Sequence, residues 1–342
     1  MTITHRLRRT LVGAVSALLL LSACATGPGG QSGSDGSGPV RINQAFQSLL
    51  YLPLYVAEDQ GFFADEGVDV EISTGGGGTQ SWSAVLGGSA DFSIQDPVFV
   101  PKTRESGGEG VVVAGVQDAP TVFILGKDGT SVQDDLSTLE GKRVIVGPEP
   151  DTTWAFMTHL IEQNGLQNVE LVNVAIGNEL AAVASGQADY ALAVEPQISE
   201  GEQQGLHIVY SFSANEDWYP FAFSSLTSTP RYLNANPETA QSVVTAFERA
   251  YRSIYADPEA AVTTAEKYFP EIDPATVRAA VERNIAAKGY PSTALVTNQA
   301  WDHNLEIAAA IGNVEQYPSE ATSYENNVNT ELATRAKESV GA

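Results

Sequence analysis

The sequence predicts an α/β protein of two similar lobes followed by an all-helical segment, and three observations carry that prediction. Short β-rich runs alternate with helix-like patterns closed by glycine as far as residue 194. A nine-residue motif recurs about 98 residues after its first appearance. Beyond Ser224 the β-rich runs stop, and helical patterns, several opened by proline, continue to residue 311. Strand–helix alternation with glycine at the helix ends indicates parallel strands linked by crossover helices.

Taken in order, residues 40–46 read as a strand and 52–59 as a helix stopped by Gly61. A strand at 68–72 precedes the turn Gly75-Gly76-Gly77-Gly78, a helix at 79–86 ended by Gly87-Gly88, and a strand at 90–94. Pro97 starts a further helix, and 111–115 and 121–125 are strands. The pattern then resumes with strand 143–146, helix 153–164 stopped by Gly165, strand 169–174, helix 179–184 stopped by Gly186, and strand 190–194. Within this run, Ala84-Val85-Leu86-Gly87-Gly88-Ser89-Ala90-Asp91-Phe92 aligns with Ala182-Val183-Ala184-Ser185-Gly186-Gln187-Ala188-Asp189-Tyr190. The period is far too long for a solenoid, so two tandem lobes are expected. Asp91 and Asp189 open strands after glycine caps and read as structural.

After Ser224, helices are expected at 230–233, 237–255, 258–269, 274–287 and 298–311. Asn236, Asp257 and Asp273 stand before prolines, a cap followed by a residue suited to the first helical turn. These helices bring no strands, so they must pack on a lobe already built, and the first is expected to receive them.

The N-terminus carries an address. Arg6, Arg8 and Arg9 precede an apolar run from 11 to 20, which ends in Leu21-Ser22-Ala23-Cys24. A basic segment, a short apolar stretch and small residues at a cut site make a secretory signal peptide over 1–23. The run is too short to span a bilayer. Leu-Ser-Ala-Cys resembles the bacterial lipobox, in which the cysteine is lipidated and becomes the mature N-terminus. A chance cysteine in an ordinary signal peptide is the plain alternative. Arg8-Arg9 faintly resembles a twin-arginine signal. Residues 24–39 then form the lipidated Cys24 and a Gly/Ser-rich tether with an r.m.s. reach of roughly 20 Å. No later run approaches 18 apolar residues. An extracytoplasmic body, lipid-anchored to the membrane, is the expectation.

Composition is globular at 43% hydrophobic, and the formal charge is −24. Such an acidic body disfavours nucleic acid and anionic membrane surfaces as partners. Cys24 is the only cysteine, so no intramolecular disulfide forms.

Tyr51-Leu52-Pro53-Leu54-Tyr55-Val56-Ala57-Glu58, then Gly61-Phe62-Phe63 and Gly67-Val68-Asp69-Val70, resemble the opening signature of a bacterial solute-binding family. That family serves ABC importers of sulfonates, taurine, nitrate and thiamine-type pyrimidines. The two Ala-Asp-aromatic units, Leu139-Glu140-Gly141-Lys142-Arg143-Val144, Glu195-Pro196 and Phe223-Ser224-Ser225-Leu226 fit it as well, over roughly 40–233. The resemblance implies a periplasmic-binding-protein-like fold of type II. It has two α/β lobes, a two-strand hinge and a ligand cleft between them. Lobe one would hold 40–122 plus 225–342, and lobe two 126–218. Closure about the hinge would deliver the loaded protein to a permease with its cytoplasmic ATPase. The protein would act as a monomer and need no cofactor.

Ligands of open α/β sheets bind beyond the carboxyl ends of the strands. Five loops meet that condition: Gln47, Ser48 and Tyr51; Gly77, Gly78, Thr79 and Gln80; Gln95 and Asp96; Asp151, Thr152, Thr153 and Trp154 after Glu149-Pro150; and Glu195, joined by the crossing residue Trp218. The glycines let backbone N–H groups approach a ligand, or form a plain turn. Asp151 is a ligand group or an N-cap. Trp154 and Trp218 are stacking surfaces or core, while Trp82, inside a helix, reads as core. Asp96, Glu149, Asp151 and Glu195 with no Lys or Arg in these loops argue against nitrate and, more weakly, a simple sulfonate. They favour an amine-bearing, zwitterionic or heterocyclic solute. Glu195 or Asp96 is expected to pair with a ligand nitrogen.

Two other classes compete. An enzyme of pyrimidine or cofactor biosynthesis has the same family ties. However, His159, His207 and His303 sit at no metal-ligand spacing and beside no nucleophile motif, so neither a metal site nor catalytic residues are expected. A ligand-sensing lipoprotein would use the same lobes.

Overall fold

The computed structural model describes residues 38–215 and 218–341. The expected signal peptide, Cys24 and the expected tether as far as residue 37 lie outside the described residues. Two five-stranded sheets organise the rest. The first holds β1 (Val40–Gln44), β2 (Val70–Thr74), β3 (Phe92–Gln95), β4 (Val111–Gln117) and β10 (Ser224–Ser228), in the order β2-β1-β3-β10-β4. The second holds β5 (Phe123–Gly126), β6 (Arg143–Val146), β7 (Glu170–Asn173), β8 (Tyr190–Ala193) and β9 (His207–Ser211), in the order β7-β6-β8-β5-β9. In each sheet the first three strands are parallel. The fourth position is taken by an antiparallel strand arriving from the other half: β10 in the first sheet, β5 in the second. The chain therefore crosses between the halves at 118–122 and 212–223.

The duplicated order explains the duplicated motif. Asp91, just before β3, accepts the backbone N–H of Arg41 at 2.9 Å, and Asp189, just before β8, accepts that of Arg143 at 2.9 Å. Each aspartate thereby ties the start of one central strand to its neighbour. Between strands run α1 (Leu52–Asp59), α2 (Phe62–Asp65), α3 (Gly78–Leu86) and α4 (Phe99–Glu105) in the first half. The second half has α5 (Thr152–Asn164), α6 (Glu179–Ser185) and α7 (Gln197–Gln203). Gly165 closes α5 in the left-handed region at φ 62°, a conformation that only glycine adopts at no cost.

The tail comprises α8 (Pro230–Ala235), α9 (Pro237–Ala256), α10 (Pro258–Tyr268), α11 (Pro274–Ala286), α12 (Asn298–Ala310), α13 (Tyr324–Asn327) and α14 (Thr330–Gly341). Helix α9 buries Val243, Phe247, Ala250 and Ile254 at helical spacing against α1 and α14, each large side chain stabilising by about 1.5–3 kcal/mol. The tail rests on the first half through α9 and α10 against α1, and two of its helices also reach the second half. Helix α11 packs on α7, and α12 packs on α5.

Other differences have readable causes. The strand expected at 121–125 begins at Phe123 and belongs to the second sheet. Strand β10 was not expected because Ser224-Ser225-Leu226-Thr227-Ser228 lacks apolar patterning. The strand is buried throughout, and two of its hydroxyls are bonded, Thr227 with Ser93 at 3.0 Å and Ser228 with the Asp91 carbonyl at 2.7 Å. Helix α14 was missed because its buried face consists of Leu332, Ala333 and Ala336, a weak apolar signal.

Candidate functional site

The carboxyl ends of both sheets converge on one narrow pocket with about 30 Å³ of free room. The first half contributes Ala45 and Phe46 after β1, Tyr51, Gly78 after β2, and Gln95 and Asp96 at the end of β3. The second contributes Asp151, Thr152 and Thr153 after β6, Ile176 after β7, and Val194 after β8. Phe223 and Ser224 enter from the second crossing. The walls mix aromatic and aliphatic side chains with hydroxyl, amide and carboxyl groups, and no lysine, arginine, histidine or cysteine is among them, a lining that suits a small organic molecule.

The two carboxylates differ. Asp96 is bonded by the protein itself. Its Oδ1 accepts the Val98 N–H at 3.0 Å and Asn304 Nδ2 at 3.1 Å, and its Oδ2 accepts the Thr152 hydroxyl. Burial raises its pKa to about 6, although all three bonds favour the ionised form. Asp151 makes no capping bond to α5, and among the described residues its carboxylate takes no hydrogen bond. It points at the N-terminus of α3: a Cβ added to Gly78 would lie 3.1 Å from Asp151 Oδ1 and 2.6 Å from the Phe99 ring. Burial, then the charge of Asp96, raises its pKa to about 7.

Gln95 is 1% exposed; its Oε1 accepts from Thr227, and its Nε2 has no partner. An unpaired buried donor beside a cavity is a place for a ligand acceptor. Tyr51 is buried beside Ser224 in the pocket wall, and burial pushes its phenol well up. Thr153 Oγ1 accepts the Gly147 N–H at 3.1 Å, fixing the turn before α5.

Of the residues expected from sequence, Tyr51, Gly78, Gln95, Asp96, Asp151, Thr152 and Thr153 are thus brought together. Gly77 is buried beside Gly78 but does not line the pocket. Gln47 is exposed and donates to the Tyr268 carbonyl at 2.8 Å; Thr79 and Gln80 are exposed on α3. Ser48 is buried and donates to the Glu195 carbonyl at 2.7 Å. Trp154 packs against the core. Trp218 sits in an aromatic cluster at the second crossing, 4.9 Å from Phe156 and 5.2 Å from Phe212. Trp82 is core, its Nε1 on Thr103 at 2.7 Å.

Glu195 requires a correction. Its carboxylate is fully buried and ion-paired with Arg283 of α11, with Ser199 donating both its N–H (3.1 Å) and its hydroxyl (3.0 Å). Glu195 is therefore engaged with the protein and absent from the pocket wall. Arg283 escaped sequence reasoning because it lies 88 positions away, in the helical tail. Phe46, Ile176 and Val194 escaped it because apolar wall residues carry no local signal. Among the described residues no cluster of three or more His, Cys, Asp or Glu is placed to hold a metal ion, and no helix is long and apolar enough to cross a membrane.

A model of the NMT1/THI5-like family matches residues 50–261. YtlA of Bacillus subtilis strain 168, whose name calls it a binding protein, is 25% identical over 96% of this chain and 97% of its own. The 4-amino-5-hydroxymethyl-2-methylpyrimidine phosphate synthase THI13 of Saccharomyces cerevisiae is 20% identical over 61% of this chain and 64% of its own. Among solved structures, one from Bordetella bronchiseptica RB50 superposes with a TM-score of 0.74 at 24% identity, covering 89% of this chain and 98% of that one. The ligand-binding component of an ABC-type import system from Staphylococcus aureus, with zinc bound, gives 0.72 at 13% identity, over 87% and 98%. The alkanesulfonate-binding protein SsuA of Xanthomonas axonopodis pv. citri, bound to MOPS, gives 0.66 at 16% identity, over 87% and 97%. The fold is that of the periplasmic binding proteins.

Proposed function

The chain belongs to the NMT1/THI5-like family, and on that premise we propose that it is an extracytoplasmic solute-binding protein that captures a small organic solute between its two sheets and delivers it to an ABC importer. The observation that carries this is the pocket itself. It joins the carboxyl ends of both sheets, and it presents one free carboxylate, Asp151, and one free amide donor, Gln95 Nε2. YtlA and the Staphylococcus aureus component support the same role, one as a binding protein and the other as part of an ABC-type import system.

The solute class follows from the lining. Asp151 suits a protonated or strongly donating nitrogen, Gln95 Nε2 suits an adjacent acceptor, and Phe46, Tyr51 and Phe223 flank a planar body. Asp96 serves as a clasp between the halves through Thr152, and Glu195 takes no part in the contact. An amine-bearing or heterocyclic solute fits these groups better than nitrate or a simple sulfonate. A second reading, a pyrimidine-forming enzyme, rests on the likeness to THI13; the pocket offers it no imidazole, thiol or amine for chemistry. Cys24 would anchor the protein to the membrane by lipid, with residues 25–39 as tether.

The test is a thermal-shift screen of residues 25 onward against sulfonates, taurine, nitrate, thiamine pyrimidines, flavins, polyamines and betaines. A ligand at a hundred times its Kd adds about 2.7 kcal/mol, several degrees of Tm. An amine or heterocycle hit that Asp151→Asn abolishes supports the reading. Stabilisation by nitrate or sulfonate alone, untouched by that substitution, would sink the assignment of solute class. Conversion of a bound compound to product would replace the reading with the enzyme.

A further inference from the structure

Helix α11 of the tail and helix α7 of the second half lie side by side, and the seam between them is polar. Arg283 on α11 ion-pairs with Glu195 and Glu202 and reaches the Ser199 hydroxyl at 3.1 Å. Two turns earlier on α11, Thr276 takes the Gln203 side chain. Glu195 immediately follows Val194 of the pocket wall, and its carbonyl accepts the Ser48 hydroxyl from the first half. The two helices belong to parts of the chain joined covalently only through the crossings at 118–122 and 212–223.

We propose that the α11–α7 seam is the closure latch of the cleft, with Arg283 as its central residue. The planar guanidinium spans two carboxylates of the other half, one buried and one 41% exposed, a geometry that lysine does not reproduce. A permanent interface would be expected to bury apolar side chains. Here the side chains that bond across the two helices are charged, amide or hydroxylic and can return to water when the halves part, with the Phe123 ring beneath Arg283 as the apolar contact. Closed, Arg283 is what compensates the buried Glu195; without it the shut form would hold an unpaired carboxylate. The latch would govern opening of the same pocket, and its purpose rests on reading that pocket as a solute site.

The experiment needs no solute. Small-angle scattering and hydrogen exchange are recorded on the protein, on Arg283→Met, on Glu202→Gln and on Arg278→Met, whose partners Glu259 and Glu282 lie within the tail. Arg283→Met is expected to enlarge the radius of gyration and to speed exchange in residues 194–203 about tenfold. Glu202→Gln should do so about threefold, 1 M NaCl should move the native protein the same way, and Arg278→Met should change nothing. Unchanged size and exchange in Arg283→Met would overturn the latch. Equal acceleration throughout both sheets would do so too, since it marks a merely structural residue. Should Arg283→Met fail to fold, Glu202→Gln and the salt series decide by the same criteria. A latch without any solute in the screen would leave this inference standing and the functional reading fallen; a solute without a latch, the reverse.

Discussion

Asp151 and Asp96 share a pocket but not a bonding state, and this difference sets the expectations at the scale of single residues. Asp96 already has three donors, so Asp96→Asn should act mainly on closure and stability. Asp151 has none, so Asp151→Asn should weaken an amine-bearing solute by at least about tenfold in calorimetric titration, in keeping with about 1.5–3 kcal/mol for a charge-assisted bond. The same substitution should raise the Tm of the unliganded protein, because it removes a buried, unpartnered charge. The pH dependence has a definite sign. Both carboxyls are raised above their unfolded values, to about 6 and about 7, so the folded state binds the extra protons. Their contribution is present below pH about 4 and is lost as pH rises through 6–7. Unliganded Tm should therefore fall between pH 5 and 8, and Asp151→Asn should flatten part of that fall. Affinity for a cationic solute should move oppositely, rising as Asp151 ionises; a flat profile for both quantities would remove Asp151 from the site.

Helix α5 shows how an element carries both halves of the site. Its first turn lines the pocket with Thr152 and Thr153, and its middle buries Phe156 against Phe212 (5.2 Å), Trp218 and Phe221 at the second crossing. The facing element is α3, whose first residue must be glycine because Phe99 and Asp151 approach within the space of a Cβ. Gly78→Ala should accordingly destabilise the protein by about 1–3 kcal/mol in urea unfolding and weaken solute binding, since the halves can no longer approach as closely. Wild-type stability with wild-type binding would show that the contact between α3 and Asp151 is not needed. The glycine run, its helix and the turn before α5 were legible from sequence because caps and turns are local. That Asp151 faces α3 rather than capping α5 was not, because the choice depends on how near the other half lies.

At the scale of the whole molecule, an acidic two-sheet body is joined to an N-terminal segment with Cys24. Cys24→Ser is expected to move the protein from the membrane to the soluble fraction and to abolish incorporation of a labelled fatty acid, while leaving solute affinity unchanged. Retention in the membrane fraction would show another means of attachment. From the sequence alone came the α/β class, the duplication through the Ala-Asp-aromatic units, most parallel strands, and seven pocket residues, all of them at strand ends, helix starts or glycine turns. Those features depend on neighbours a few positions apart, so linear patterning reveals them. Only the tertiary structure decided that β5 and β10 trade places between sheets, that the helical tail reaches both halves, that Glu195 belongs to Arg283, and that Asp151 is left free. Each of these is a contact between residues tens to hundreds of positions apart. Whether a carboxylate is a cap, an ion-pair partner or a ligand group is settled by which donors the folded chain brings within about 3 Å of it.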